Sequence, residues 1–414
     1  MDYLSELGKK AVTAGKFLAS ASTAKKDRAL LEMADALEIN TEKILAENEK
    51  DLIVAAEEGM TTAFMDRLKL DEARIKSMAA GLRDAAALKD PIGESLEQFD
   101  RPNGLHIEKI RVPLGVIGII YEARPNVTSD AAGLCLKTGN SVILRGGSRA
   151  LKSNMAIVDV MRNALEGIGF PADCVQLVRD TDRATAVEMM RLNEYIDVLI
   201  PRGSASLINE VVKNSTVPVI ETGIGICHVY VAEDADIDMA VNITVNAKTS
   251  KPSVCNAAEV LLVDEAIAEK FLPLVAEGLD KYKVELRGCE KTLRILPGAV
   301  KASSTDFDTE FLDYIMAVRV VSGIDEAINH INTHGTGHSE AIVTSDPDKT
   351  RRFQNEVDAA AVYSNASTRF TDGGEFGMGA EIGISTQMLH ARGPMGLREL
   401  TSYKYIITGT GQTR

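Results

Sequence analysis

The sequence has no excess of positive charge and no long apolar run. Its 46 lysine and arginine residues stand against 60 aspartate and glutamate residues, which leaves a net charge of −14. This balance argues against nucleic acid or an anionic membrane as the main partner. No apolar run approaches the roughly 20 residues that cross a bilayer. The N-terminus has no basic segment followed by an apolar core, so neither a membrane span nor a secretory signal is predicted.

The sequence also lacks paired cysteines. The five cysteines are scattered, odd in number and without a Cys-x-x-Cys pair: Cys135, Cys174, Cys227, Cys255 and Cys289. A disulfide framework or a structural zinc site is therefore not expected. The pattern predicts a protein of the reducing cytoplasm.

Three of the six histidines recur at every fourth residue, but the pattern does not predict a metal site. Gly335 and Gly337 interrupt any helix that would align His330, His334 and His338, and a carboxylate ligand is missing. We expect His330 to lie on a helix. The glycine-rich turn around His334 and His338 is expected to shape or line an active cleft.

The first 90 residues are predicted to be helical. Helices are expected to begin at Ser22–Thr23, Asn40–Thr41 and Asp71, where side chains can accept hydrogen bonds from first-turn amides. Gly59 is a plausible C-cap of the second of these helices. At 414 residues the chain is long enough for two or more domains.

From about residue 112 apolar strands alternate with helices, which is typical of parallel sheets covered on both faces. The predicted strands of the first series are 112–120, 142–145, 175–178, 198–201 and 217–220, with helices over 148–165 and 185–192. A second series runs from His228 to Ser364, with strands at 260–263, 318–321 and 361–363. The fold class is therefore α/β, with two parallel-sheet domains.

Two pieces stand apart from these series. A Pro-Asn-Gly turn followed by alternating residues predicts a β-hairpin over residues 100–112. Residues 400–409 read as a strand with no obvious partner nearby. Such edges pair across subunit boundaries, so both pieces are predicted to form a small β element for oligomerisation.

The sequence lacks the Gly-x-Gly-x-x-Gly motif of dinucleotide-binding turns after any predicted strand. Gly115 and Gly118 lie inside a strand-like run instead. Two turns suit phosphate because each joins a buried strand to a helix through glycine and carries an arginine. The first comprises Arg145, two glycines and Ser148. The second comprises Arg202, Gly203 and Ser204. An ordinary strand-to-helix turn is the alternative for either.

Cys255 is the candidate nucleophile, and Glu221 is the candidate acid–base group. Each lies next to a short apolar run that reads as a strand. A thiolate at an exposed loop–strand junction can attack an acyl carbon and form a thioester. The alternative is one more buried structural cysteine, the commonest state of an unpaired thiol.

These segments, in this order, resemble the aldehyde dehydrogenase superfamily over nearly the whole chain. The resembling segments are Pro113–Ile120, Leu136–Arg145, Arg202-Gly-Ser, Glu221-Thr-Gly, Cys255, Glu310-Phe-Leu and Phe376-Gly-Met-Gly. A narrower and longer match covers residues 321–342, which resemble the signature of the γ-glutamyl phosphate reductase family. Tyr121–Thr128 and Asn256-Ala-Ala-Glu are similar to that family as well.

The resemblance implies NADPH-dependent reduction of L-glutamyl 5-phosphate to glutamate 5-semialdehyde, a step of proline biosynthesis, through a Cys255 thioester. It implies an NADP-binding domain over 1–99 and 116–226, a catalytic domain over 227–394, and an oligomerisation element over 100–115 and 395–414. A homodimer or homotetramer is expected, with a glutamate kinase as a candidate partner that supplies the labile acyl phosphate. A hydrolytic aldehyde dehydrogenase and a non-catalytic scaffold are the rival hypotheses.

The resemblance also implies roles for single residues. Ser148 replaces a glutamate of the superfamily that binds ribose hydroxyls, and with Arg145 and Arg149 this favours NADP. Glu310 corresponds to a nicotinamide ribose contact, and Glu221 is a thiol activator or a relic. The oxyanion-hole side chain is Asn126 or Arg124, with the Cys255 amide as the other donor.

The substrate's amino-acid head is expected at two loops, 364–369 and 379–385. The candidate donors to its carboxylate are Ser367, Thr368, Arg369 and Ser385, Arg124 is a further candidate, and Glu381 is the candidate acceptor from its ammonium. Solvated loop charges are the alternative interpretation of Arg369 and Glu381.

Overall fold

The structure is a computed structural model that describes residues 3–414, apart from the side chains of residues 62 and 63. It divides into two compact units. The first unit comprises the residues up to Thr222 together with 377–383 and 395–414, and the second comprises 223–376 and 384–394. The hairpin and the C-terminal strand belong to the first unit here. Their role as an oligomerisation element stays a prediction, as do the predicted domain boundaries.

The N-terminal part of the first unit is helical, as predicted. Its helices are α1 (Tyr3–Ser20), α2 (Thr23–Ile39), α3 (Thr41–Glu57), α4 (Thr62–Leu68) and α5 (Glu72–Ala87). Asp71 caps α5, since its carboxylate accepts from the Arg74 amide at 2.8 Å. Ser22 and Asn40 occupy N-cap positions without a side-chain capping bond. Helix α4 was not predicted, because its seven residues are too few to show a clear period.

Gly59 ends α3 in the way the sequence predicts. Its φ is 69°, a left-handed value that favours glycine. The Gly59 amide donates to the Ala56 carbonyl at 3.0 Å and the Met60 amide to the Ala55 carbonyl at 3.1 Å. These two bonds form a Schellman motif, which satisfies carbonyls that the helix end leaves unpaired.

A small antiparallel sheet joins the hairpin to the C-terminal strand. Its strands are β1 (Ser95–Asp100), β2 (His106–Pro113) and β16 (Thr401–Thr408), numbered in chain order, and β2 lies in the middle. The C-terminal strand, for which the sequence offers no obvious partner nearby, is not left unpaired within the chain. It pairs with β2 from Thr401↔Pro113 to Thr408↔His106. The partner is distant in sequence, so no local pattern could reveal it.

The first unit also contains a four-stranded parallel sheet. Its strands are β3 (Val116–Tyr121), β4 (Ser141–Arg145), β5 (Val175–Leu177) and β6 (Val198–Arg202), in the order β5-β4-β3-β6. The helices that alternate with them are α6 (Asn126–Lys137), α7 (Leu151–Gly167), α8 (Arg183–Met189) and α9 (Ala205–Asn214). All residues of β3 are buried, as expected of a central parallel strand.

Two predicted strands of this series need correction. The run 112–120 is not one strand. It is interrupted between β2 and β3 at Gly115, whose φ is 130°. A Cβ there would lie 2.1 Å from Asp197 Oδ2, an oxygen that accepts from the Val116 amide. Residues 217–220 form no strand but a single bridge, between Leu199 and Val219.

The second unit is built on a seven-stranded parallel sheet. Its elements along the chain are β7 (Cys227–Val231), α10 (Ile237–Thr249), β8 (Ala258–Asp264), α11 (Glu265–Asp280), β9 (Glu285–Gly288), α12 (Glu290–Ile295), β10 (Val300–Lys301), β11 (Ile315–Val321), α13 (Ile324–His334), β12 (Ser339–Val343), α14 (Pro347–Glu356) and β13 (Ala361–Ser364). The order is β10-β9-β11-β8-β7-β12-β13. A two-stranded piece, β14 (Ile384–Ser385) with β15 (Gly393–Pro394), completes the unit.

Both faces of the seven-stranded sheet are covered. Val229 of β7 enters one apolar cluster with Phe271, while its neighbour Tyr230 enters another with Phe353. Alternate residues of a strand point to opposite faces, so two clusters mean two covered faces. The two parallel sheets confirm the predicted α/β class. Among the described residues, no helix is long and apolar enough to span a membrane.

Candidate active site

The candidate nucleophile lies in the second unit, in the turn between α10 and β8. Cys255 is half-buried, and its carbonyl oxygen is closely approached by the backbone of Gly225. A Cβ at Gly225 would lie 1.5 Å from that oxygen, so only glycine fits there. The turn that carries the thiol is therefore held against the chain segment that leads into β7.

A buried thiol and a buried imidazole lie behind this turn. The Cys227 thiol donates to the Cys255 carbonyl oxygen at 3.2 Å, and Cys227 Sγ is 3.7 Å from His338 Nδ1. Burial raises the pKa of the Cys227 thiol well above its ordinary value. Burial also lowers the pKa of His338 to about 4, so this imidazole is neutral at physiological pH. Both groups support the Cys255 turn as neutral side chains.

A buried ion pair fixes the segment that contains Glu310. Lys248 Nζ donates to Glu259 Oε2 at 2.5 Å, and neither side chain is exposed. Burial raises the pKa of Glu259 to about 7 and lowers that of Lys248, each opposed by the charge of the other. Glu259 Oε1 accepts from the Leu312 amide at 3.1 Å. Leu312 has a φ of 55°, so this bond stabilises a left-handed residue.

Glu310 binds a backbone amide in this structure. Its Oε1 accepts from the Gly225 amide at 2.7 Å, and burial raises the pKa of the carboxyl group. Glu310 thus contacts the residue that packs on the Cys255 carbonyl. Its role at the nicotinamide ribose stays a prediction.

Two buried histidines, His228 and His330, and the half-buried His334 form a separate group around β7, β12 and α13. His228 Nδ1 is 2.9 Å from Glu340 Oε2, while His330 packs edge-on against the His228 ring at 5.5 Å between centroids. His330 lies on α13, as predicted, and burial lowers its pKa to about 3. His334 is the last residue of the same helix, and its Nδ1 lies 2.7 Å from Asp308 Oδ1. In the described part of the chain no group of three or more ligating side chains is arranged to hold a metal ion.

The predicted substrate donors of the second unit have internal partners. The Thr368 hydroxyl donates its single proton to the Asn256 carbonyl at 2.7 Å, so that proton is unavailable while this bond persists. Ser367 Oγ accepts from the Arg369 amide at 3.3 Å, and Ser385 Oγ accepts from the Gln387 amide at 3.4 Å. All three hydroxyl residues are buried, whereas Arg369 is half-buried. Their substrate roles stay predictions.

The first predicted phosphate turn follows β4 in the first unit. Arg145 Nη2 donates to the Asp182 carbonyl at 3.2 Å, and its buried Nε has no hydrogen-bond partner among the described residues. A Cβ at Gly146 would lie 2.1 Å from Asn154 Nδ2, so glycine is required there. Ser148 is exposed and begins a 3₁₀ turn before α7, while Arg149 is held by Glu58 through Nε.

The second predicted phosphate turn follows β6 and already binds a carboxylate. Glu122, at the end of β3, accepts from the Ser204 hydroxyl at 2.6 Å and from the Ser204 amide at 3.1 Å. A Cβ at Gly203 would lie 2.7 Å from the Glu122 carboxyl carbon. This contact shows that the start of α9 can bind an anion. A cofactor phosphate at this turn would have to displace Glu122.

The remaining candidates also lie in the first unit. Asn126 begins α6, and its Nδ2 donates to Asp130 Oδ2 at 3.3 Å. Burial raises the pKa of Asp130 to about 6. Arg124 and Asn126 are exposed, and Glu221 and Glu381 are half-buried.

Several residues of these sites were missed from the sequence. Cys227 and Lys248 carry no motif of their own, whereas Glu122 and Glu259 lie inside segments that showed only a family resemblance; all four lie close to their partners only in the fold. Asn256 was noted only as part of a family resemblance. Its position directly after Cys255, the candidate nucleophile, was the one local signal that could have indicated a structural role at the site.

The fold agrees with what comparison with known proteins finds. The model of the aldehyde dehydrogenase family matches residues 4–294 and 295–406. The chain therefore belongs to the aldehyde dehydrogenase family. A glyceraldehyde-3-phosphate dehydrogenase from Methanocaldococcus jannaschii, solved with NADP, has a TM-score of 0.70 at 18% identity over 98% of this chain and 94% of its own. That likeness shows the fold alone.

Within this family the chain groups with one particular enzyme. It is 61% identical over 414 residues, 100% of both chains, to a protein of Carboxydothermus hydrogenoformans named gamma-glutamyl phosphate reductase. A crystal structure of the protein of that name from Thermotoga maritima has a TM-score of 0.98 at 50% identity, and the match covers 100% of both chains. The resemblance predicted from residues 321–342 is confirmed.

Proposed function

We propose that this protein reduces L-glutamyl 5-phosphate to L-glutamate 5-semialdehyde with release of phosphate, as a step of proline biosynthesis. The main support for this proposal is the 61% identity, over the full length, to a protein named gamma-glutamyl phosphate reductase. The half-buried Cys255 turn supplies the nucleophile that this reaction requires.

Cys255 performs the covalent step of the proposed reaction. Its thiolate attacks the acyl carbon, the bond between that carbon and the phosphate oxygen breaks, and phosphate leaves with the electron pair. A nicotinamide cofactor, when bound, would supply the hydride that reduces the acyl carbon of the resulting thioester. The carbon–sulfur bond then breaks, which releases the aldehyde and regenerates the thiolate.

The protein groups around this step have supporting roles. The backbone amide of Cys255 is the proposed donor to the oxyanion that develops on the acyl oxygen. Asn126 or Arg124 as the side-chain donor, and Glu221 as a thiol activator, are carried over from the family resemblance as proposals. Phosphate is a good leaving group, so no strong general acid is required.

The aldehyde dehydrogenase family uses NAD or NADP, and we propose NADP for this chain. The buried Arg145 Nε lacks a partner among the described residues, which fits a dinucleotide at the β4–α7 turn. Ser148 leaves room there for a 2′-phosphate. Arg145 and Arg149 would bind it, Arg149 after exchange of its Glu58 contact.

The proposal includes a homo-oligomer, dimer or tetramer, that works in the cytoplasm. It is supported by the small sheet of the first unit, where the outer strand β16 exposes Tyr403, Tyr405 and Ile407 on one face. Exposed apolar side chains on an edge strand are typical of an interface. A glutamate kinase that passes on the labile acyl phosphate remains a candidate partner.

An NADP-linked assay tests the function. The purified protein is given glutamate 5-semialdehyde and NADP with and without phosphate, and NADPH formation is followed. Turnover that requires phosphate is expected, because phosphate must attack the thioester in this direction. Equal turnover without phosphate would instead support a hydrolytic aldehyde dehydrogenase, in which water cleaves the thioester. No turnover with any acyl phosphate would favour a non-catalytic scaffold.

A further inference from the structure

The turn that carries Arg369 is hydrogen-bonded to the turn that carries Cys255 through three bonds. Asn256 directly follows Cys255, and its Nδ2 donates to the carbonyls of Thr371 at 2.9 Å and Arg369 at 3.3 Å. In return the Thr368 hydroxyl donates to the Asn256 carbonyl at 2.7 Å. An amide nitrogen only donates and a carbonyl only accepts, so the orientation of the Asn256 side chain is determined. The two turns thus form one hydrogen-bonded body.

The guanidinium of Arg369 is anchored to the same part of the chain. Its Nε donates to Ser250 Oγ at 2.9 Å, and Ser250 is the residue that follows α10 on the way to Cys255. Arginine has five N–H donors in a rigid fork, so this bond leaves the Nη groups for a carboxylate. The anchor restricts rotation of the long side chain and fixes where those donors point.

Asn256 is buried although one of its polar atoms has no hydrogen-bond partner in the described part of the chain, so its other hydrogen bonds must offset a desolvation cost. The residue is 4% exposed, and its Oδ1 is buried without a partner among the described residues. An unsatisfied buried acceptor destabilises a fold, and an apolar side chain of similar size would avoid this. The two bonds from Nδ2 offset the cost, which is consistent with a role in holding the Arg369 turn.

We infer that Asn256 and Ser250 are positioning residues that set the separation between the Cys255 thiol and the Arg369 guanidinium, and thereby the length of amino-acid acyl chain that the site accepts. This inference rests on the proposed function and deepens it. The substrate class is an ω-acyl phosphate or ω-semialdehyde of an amino acid whose α-carboxylate binds Arg369. Because the two turns are hydrogen-bonded to each other, we expect a chain one methylene shorter to span the two groups less well.

The test compares two semialdehydes that differ by one methylene, glutamate 5-semialdehyde and aspartate 4-semialdehyde, each with phosphate and NADP. One methylene is worth about 10- to 200-fold in kcat/KM where a site discriminates by fit. For Asn256→Ala and Ser250→Ala we expect the ratio of the two kcat/KM values to fall about tenfold. The change should come from a higher KM for glutamate 5-semialdehyde, with the KM for NADP and the alkylation rate of Cys255 by iodoacetamide unchanged.

The variants are chosen so that misfolding does not decide the result. Ser250 is exposed, so Ser250→Ala removes one hydrogen bond without touching the core. Asn256→Asp keeps the side-chain volume but sets an oxygen against two carbonyls, and should act like Asn256→Ala. Asn329→Ala, at an exposed position of α13, is the matched control and should keep the wild-type ratio.

Two results would overturn the inference. In one, Ser250→Ala and folded Asn256→Ala keep the wild-type ratio of the two semialdehydes. In the other, kcat falls equally for both substrates, which marks a purely structural role. A wild-type protein inactive with both semialdehydes would instead overturn the proposed function, and the inference with it.

Discussion

Cys255 carries the proposed chemistry, and three of the other four cysteines are poor substitutes for it. Cys135, Cys174 and Cys227 are buried, and burial raises the pKa of each thiol. A thiol held protonated is a poor nucleophile. Cys289 is half-buried like Cys255, and its pKa is lowered despite the opposing effect of burial, since hydrogen bonds such as that from Thr292 favour its thiolate.

Replacing the proposed nucleophile should remove nearly all turnover. We expect Cys255→Ser to lose ~10³-fold or more in kcat, because a hydroxyl offers no accessible anion near neutral pH. Cys289→Ser is the matched control, since Cys289 is the other half-buried cysteine, and its kcat should stay close to the wild type. NADPH formation measures both. Comparable rates for Cys255→Ser and the wild type would remove the covalent mechanism.

Cofactor preference should depend on the side chain at position 148. Ser148→Glu is expected to lower kcat/KM for NADP by about 10- to 100-fold and to shift preference towards NAD, since a charge-assisted contact is worth about 1.5–3 kcal/mol. The reason is repulsion between the new carboxylate and the 2′-phosphate. Ser77→Glu, on the exposed side of α5, adds the same charge elsewhere. Equal efficiency with NAD and NADP in the wild type would argue against the assignment.

At the scale of the element, β16 forms one exposed edge of the small antiparallel sheet. The strand lies at one edge, beside β2, and its alternate side chains Tyr403, Tyr405 and Ile407 are exposed. Lys109 of β2 lies over the Tyr403 ring at 3.8 Å from the centroid. This cation–π contact orders the exposed aromatic face. An ordered apolar face on an edge strand is suited to a second copy of the chain.

A single charge on that face should weaken assembly. Ile407 is 59% exposed, so Ile407→Asp should cost the folded chain little while placing a carboxylate in the proposed interface. We expect light scattering at micromolar concentration to show a smaller species than for the wild type. Lys404→Asp, on the opposite face of the strand, should assemble normally. A wild-type protein that is a well-folded monomer would contradict the proposal.

At the scale of the whole molecule, buried neutral histidines link stability to pH. The folded pKa of His338, about 4, lies below the ordinary value of 6.5 because burial disfavours the charged form. Below pH 6.5 the unfolded chain therefore binds a proton that the folded chain does not. The stability contributed by neutral His338 is complete above pH 6.5 and is lost as the pH falls towards 4.

This linkage can be measured by comparison with a variant. Between pH 6 and pH 5, the free energy of unfolding of the wild type should include a fall of up to about 1.4 kcal/mol per pH unit from this residue. His338→Asn should lack that part of the slope, although it is less stable overall. Urea denaturation at several pH values gives both slopes. Parallel slopes would show that His338 is protonated equally in both states.

Local patterns predicted much of this protein because their physical causes are local. Gly59 ends α3 because glycine adopts the positive φ of that position without strain. The apolar run of β3 forms a buried strand because both of its faces are covered. Cys255 could be singled out because a thiol at a loop–strand junction suits covalent chemistry. The family resemblance added the order of the segments, which no single motif carries.

The remaining features depend on residues that are distant in sequence. The pairing of β16 with β2, the Lys248–Glu259 pair, and the contact of Glu122 with Ser204 exist only where the folded chain brings their members together. Each bond satisfies a polar group that the fold has removed from water or placed at a helix end, and the sequence does not state which partner will be near. The residue types in the chain thus determined what chemistry was available. The tertiary structure decided which groups were already bonded, and so which remained for a ligand.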